Sequence, residues 1–168
     1  MREIKFRGKR KDNGEWVYGD FAYIAVPGLG LALATGCNAG FPEDVEPCIV
    51  TVKKRQHPYF SDSGPLEIVE NEYHVVDIET VGQYTGRKDK NGTAEIYSGD
   101  LVRVVVGNNE HTAKVVFNQK TCGFEIWYTT TVGAYGEKAT HKINFAQYDE
   151  IEKIGNVHDN PELLERRG

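Results

Sequence analysis

Cysteine is scarce and poorly placed for a cross-linked or metal-bound scaffold: Cys37, Cys48 and Cys122 are the only three in 168 residues. An odd number without CxxC spacing supports neither a zinc knuckle nor a complete disulfide framework. Reduced, partly buried thiols in a cytoplasmic protein are the plain reading, with Cys122 packing as a small apolar group. The signatures of nucleotide, metalloprotease and hydrolase chemistry, GxxxxGK[ST], HExxH and GxSxG, are also missing. His57, His74, His111, His141 and His158 are scattered without HxH spacing or a neighbouring cysteine, so no metal or cofactor is expected. Basic charge is lacking as well. A net charge of −5 and a pI near 5.6 speak against nucleic-acid binding as the main role. One long uncharged run exists, Phe21–Pro42, but Pro27, Gly28, Gly30, Gly36, Asn38 and Gly40 make it unfit for a membrane-spanning helix. It reads as a strand followed by a glycine-rich loop. The opening Met-Arg-Glu-Ile-Lys-Phe-Arg alternates polar and apolar residues, so no secretory export is expected.

What is present is an ordinary folded composition. The chain is 39% hydrophobic, 11% aromatic and 27% charged, enough to bury a core without staples and too apolar for disorder. Residues 1–20 carry six Lys/Arg against four acids, whereas residues 43–80 carry three against nine. Length fits one domain, or one domain with an appendage.

Strand signals dominate. Residues 2–7 and 15–25 read as strands joined by Lys11-Asp12-Asn13-Gly14, a hairpin turn because Asn-Gly accepts positive φ at low cost. Cys48–Lys53 is β-branched, Gln56–Pro65 reads as a polar loop, and Tyr73–Ile78 returns as a strand. Leu101–Val106, Thr112–Phe117 and Gly123–Tyr128 form an antiparallel meander. Period two sets Val102, Val104 and Val106 on one face, as it does Ala113, Val115 and Phe117, then Phe124, Ile126 and Tyr128. A small barrel or sandwich follows, closed by residues 141–145 and 151–154. Asn160-Pro161-Glu162 starts a short C-terminal helix that docks Leu163 or Leu164.

One internal echo stands out. Arg10-Lys11-Asp12-Asn13-Gly14 leads through an aromatic strand to Gly19-Asp20, and Arg87-Lys88-Asp89-Lys90-Asn91-Gly92 leads likewise to Gly99-Asp100. Two copies fall short of a repeat array. In both, Asp before an apolar strand is expected to bond nearby backbone N–H groups and fix the turn; a pair of catalytic carboxylates is the sharper alternative.

The register Val81-Gly82-Gln83-Tyr84-Thr85-Gly86, Lys88-Asp89-Lys90-Asn91-Gly92, Ile96-Tyr97, Gly99-Asp100 and Val102 resembles the YopX family of phage and prophage proteins. The opening MREIKFR, the early KDNGEWVYGD and the closing IGNVHDNPELL are similar to that family too. The resemblance implies a mainly β fold with a small SH3-like barrel, a phage or prophage origin and a bacterial cytoplasmic setting. With the residue patterns, it gives one YopX-like domain over 1–168. Residues 1–79 would be an N-terminal β extension with an insertion-like segment 21–70, 80–157 the barrel-like part and 158–168 the terminal helix. It carries no catalytic residues.

Three functions compete. The leading one is a non-enzymatic accessory protein acting through protein contacts with itself, as a homo-oligomer, and with a phage or host protein. Its candidate surface is Phe21, Tyr23, Ile24, Val26, Leu29, Leu31 and Leu33. The second is a single-strand nucleic-acid module using Arg87, Lys88 and Lys90 with Tyr84 and Tyr97. The third, an enzyme on a small phosphate- or sugar-bearing substrate, rests only on scattered Asp and His.

Overall fold

A computed structural model describes residues 3–25, 45–61, 64–132 and 137–164. Within them lie ten strands: β1 (Phe6–Arg10), β2 (Trp16–Ala25), β3 (Val45–Ser61), β4 (Gly64–Lys88), β5 (Glu95–Tyr97), β6 (Asp100–Val106), β7 (Asn109–Asn118), β8 (Gly123–Val132), β9 (Glu137–Asn144) and β10 (Glu152–Asn156). Every pairing whose register is defined is antiparallel, so this is a mainly β protein. The chain divides into two compact units, Lys5–Val81 and Gly82–Gly168 with Met1–Ile4, and β4 contributes to both.

In the Lys5–Val81 unit the strand order is β1-β2-β3-β4, and β1 also pairs with β4. The first strand begins at Phe6 rather than Arg2, and its hairpin with β2 turns at Lys11–Gly14 as the Asn-Gly signal predicts. Cys48 and Ile49 are consecutive and both fully buried, as is Val76, so β3 is covered on both faces at Cys48–Ile49. Gly19 allows β2 to lie against β3: a Cβ there would stand 2.2 Å from the Val50 carbonyl oxygen, and backbone cannot swing aside as a side chain does. Gln56–Pro65 is not a loop. It belongs mostly to a hairpin of the 17-residue β3 and the 25-residue β4, with pairing out to Ser61 opposite Gly64. The register shifts between Gln56 and Phe60, the interval holding Pro58; proline has no N–H for the ladder, and the irregularity absorbs it.

In the Gly82–Gly168 unit a five-stranded sheet runs β10-β6-β7-β8-β9, and the end of β4 pairs with β5. The period-two pattern is realised. Val102, Val104, Ala113, Val115 and Ile126 are fully buried, joined by Phe124, Tyr128, Ile96, Phe145 and Ile151 in one core. Each fully buried Val or Ile contributes roughly 1.5–3 kcal/mol relative to exposure. Phe117, expected on this face, reaches the sheet's rim and is 37% exposed, meeting Phe124 edge-on with centroids 5.2 Å apart. Pro161–Leu164 is a single 3-10 turn opened by the Leu163 N–H donating to the Asn160 carbonyl. Leu163 is half-buried there and Leu164 exposed.

Candidate functional site

The polar motif residues of the second half are drawn together by tight turns. β4 continues to Lys88 with a register shift between Tyr84 and Lys88, where Gly86 takes a φ of +86°, and the chain turns at Asp89–Gly92. The Asp89 carboxylate is buried and accepts the backbone N–H of Thr93 at 3.0 Å and of Ala94 at 3.1 Å. Backbone donation, from Ala94 foremost, holds its carboxyl below the usual carboxylate range. Gly92 donates to the Asp89 carbonyl, and the Lys90 N–H to the Ile151 carbonyl at 2.7 Å.

Asp100 lies at the centre of this unit, fully buried at the head of β6. Its Oδ2 accepts the Tyr97 N–H at 2.8 Å and pairs with the Lys153 ammonium at 3.0 Å. Lys153 also donates to the Glu95 carbonyl and stands 5.8 Å from the Tyr97 ring, while the Tyr97 hydroxyl donates to Glu95. Gly99 links onward: its N–H donates to the Val115 carbonyl, and its carbonyl accepts from Val157. There the closing Gly155–Asn160 segment folds around Asn156, whose Oδ1 accepts the N–H groups of His158 and Asp159, each at 2.9 Å. The Asn156 amide donates to the Asp159 carboxylate. These groups therefore hold turns closed. No group of three His, Cys, Asp or Glu is placed to bind a metal ion among the described residues.

The candidate nucleic-acid residues occupy the same region with most of their polar and aromatic surface engaged. Tyr84 and Tyr97 are buried, their rings tilted against each other at 5.4 Å. Arg87 is half-buried over the Phe145 ring, donates to the carbonyls of Phe145 and Asp149, and pairs with the Asp149 carboxylate at 3.5 Å. Lys90 pairs with Glu152 at 2.8 Å, a bond that raises the ammonium's pKa and lowers the carboxyl's. Lys88 is exposed.

Of the candidate partner surface, Val26, Leu29, Leu31 and Leu33 lie outside the described residues. Tyr23 is 60% exposed and meets Phe21 edge-on at 5.3 Å; Phe21 and Ile24 are half-buried. Other apolar side chains open to solvent escaped the sequence reading. Tyr18, Val52, Val69 and Tyr73 are each about half exposed or more. Register places them on one face of β2, β3 and β4, since Asp20 pairs with Val50, Val50 with Tyr73 and Lys54 with Val69. Alternation along Val50, Val52 and Lys54 was the available signal; it marks a face but does not say whether that face is covered.

The class is thus a two-unit antiparallel β protein whose recurring polar motifs fix turns. A family model described as YopX protein matches residues 46–165. The chain belongs to the YopX family. The match includes the Val81–Val102 motifs and the segment around Asn156, whereas the opening MREIKFR and KDNGEWVYGD blocks precede it. No curated protein matches the chain.

Proposed function

We propose that this YopX-family protein is a phage or prophage accessory factor that acts through protein contacts, first of all with copies of itself, and not by catalysis. The observation carrying this reading is the open apolar face of the Lys5–Val81 unit. Val52 at 62%, Val69 at 60% and Tyr73 at 54% exposure lie on adjacent strands beside Tyr18 at 49%. Apolar groups aligned on one sheet face are favoured at interfaces, tyrosine above all. Tyr23, on the opposite face of β2, is a further exposed aromatic.

The accompanying fold reading is one YopX-like domain whose second unit is an SH3-like barrel built on the β6-β7-β8 meander, with a short helix at its end. A cytoplasmic setting goes with it; no helix among the described residues is long and apolar enough to cross a membrane.

Sedimentation of the full chain and of a Val52→Asp/Tyr73→Asp variant tests the proposal. The native chain is expected to sediment as an oligomer at micromolar concentration and the folded variant as a monomer. A native monomer across that range, or an oligomer indifferent to both substitutions, overturns it.

A further inference from the structure

The outer face of β7, β8 and β9 carries an arrangement with no part in the turns. Because alternate residues face opposite ways, the strands that bury Ala113, Val115, Ile126 and Tyr128 turn Lys114, Trp127 and Lys142 outward. These three form one cross-strand row: Lys114 is the partner of Trp127, and Trp127 of Lys142. The Trp127 indole donates to Glu125 at 2.8 Å, and the Lys142 ammonium stands 4.1 Å from the ring centroid. Glu125 also accepts from the Asn118 amide at 2.7 Å and the Thr121 hydroxyl at 3.3 Å. These donors, the indole first, keep its carboxyl below the usual range. Further along, Thr129 pairs with Thr140 and Thr131 with Lys138. Among the described residues Lys114, Lys138 and Lys142 have no ion-pair partner.

We propose that this face is a docking surface for single-stranded nucleic acid, with a base stacked on Trp127 and phosphates held by Lys114, Lys142 and Lys138. Adjacent strands lie about 4.8 Å apart and residues about 3.3 Å apart along a strand, so cations flank the ring on both sides and continue about 13 Å down β9. A cation track beside an aromatic platform is what a flexible phosphate chain with unpaired bases requires. The chain's acidic excess is located elsewhere. On the outward positions of β7 from Thr112, β8 and β9, Glu125 is the one acidic residue, and it is engaged as an acceptor. Lys142 now covers the ring where a base would stack, so binding exchanges a cation–ring contact for a phosphate contact and a base–ring contact. An acidic peptide would use the cations but leave the ring without a partner. The surface lies on the Gly82–Gly168 unit and its outcome is independent of the self-association reading.

Fluorescence anisotropy of the full-length protein with labelled oligo-dT and oligo-rU of about 15 nucleotides, and with a duplex of the same length, tests this. Saturable binding to a single strand, tighter than to the duplex, is expected, with the two sugars compared to tell DNA from RNA. The Lys114→Ala/Lys142→Ala pair should weaken it about tenfold and make the salt slope shallower by about 1.4. Trp127→Ala should weaken it about tenfold, and Trp127→Phe should keep most of the affinity. Lys142 is exposed and Lys114 half-buried; the lysine pair serves as the variant that leaves folding intact, checked by its melting curve. Absence of saturable single-strand binding, equal affinity for duplex, affinity untouched by the lysine pair, or equally tight binding of oligo-glutamate overturns the proposal.

Discussion

The two echoing segments show how far a local motif carries and where its surroundings take over. In both, an Asn-Gly turn closes with glycine at nearly the same positive φ, +72° at Gly14 and +70° at Gly92. Both glycines donate their N–H back across the turn, Gly14 to Arg10 and Gly92 to Asp89. The aspartates then diverge. Asp12 is exposed and paired with Arg10, a local contact that lowers its pKa and raises the guanidinium's. Asp89 is buried and caps two backbone N–H groups. The downstream Gly-Asp pairs diverge further: Asp100 is fully buried against Lys153, whereas Asp20 is exposed on β2. One sequence pattern makes the same turn twice but becomes a structural centre only where a core closes over it.

The largest contrast is expected at the second aspartate. Asp100→Ala removes the acceptor of the Tyr97 N–H and strands the Lys153 ammonium, costing about 3 kcal/mol in denaturant unfolding. Asp20→Ala should fall within about 0.5 kcal/mol, as surface changes do. Equal costs would dissolve the comparison. Next comes Gly19→Ala, where the added methyl meets the Val50 carbonyl; about 2 kcal/mol should be lost from the Lys5–Val81 unit. Gly14→Ala and Gly92→Ala should each cost about 1 kcal/mol, because neither Cβ meets any atom and only the left-handed backbone is strained. A large difference between these two would mean that the turns are not equivalent.

The smallest effect is a pH dependence. Asp89, Glu125 and Glu152 all have lowered carboxyl pKa values, the first from backbone donors and the others from Trp127 and Lys90. A folded pKa below the unfolded one adds stability that is complete above the unfolded value, near 4, and lost as pH falls through the folded values. In the Lys5–Val81 unit Asp12 has this sign, through its contact with Arg10. Hydrogen exchange between pH 5 and pH 2.5, both values set by the roughly pH 4 carboxylate midpoint, should show protection fading more in the Gly82–Gly168 unit. Uniform loss would remove that distinction.

The meander was legible because Val102, Val104, Ala113, Val115 and Ile126 alternate with polar residues over short, turn-bounded runs. The hairpin at Gly14 was legible because Asn-Gly has few other uses. The long β3–β4 hairpin was not: Pro58, Gly64 and Pro65 carry loop signals, and only the pairing partner reveals a register shift that tolerates Pro58. Proximity in sequence suggests that Tyr84 and Tyr97 share a surface with Arg87, Lys88 and Lys90, yet both tyrosines turn inward because cross-strand pairing directs them to each other. The Lys114–Trp127–Lys142 row escaped for the opposite reason. Its members are distant in sequence and become neighbours only once three strands are in register.

Burial of Cys48 beside an exposed Cys122 gives the molecule two chemical clocks. Thiol modification needs the thiolate, which burial of Cys48 disfavours, and it needs access, which β2 and β4 deny. With Cys37 replaced by Ser, a thiol reagent should label Cys122 at once and Cys48 only at the rate at which the β2-β3-β4 ladder opens. If copies of the chain cover that sheet, the slow clock should slow further as protein concentration rises.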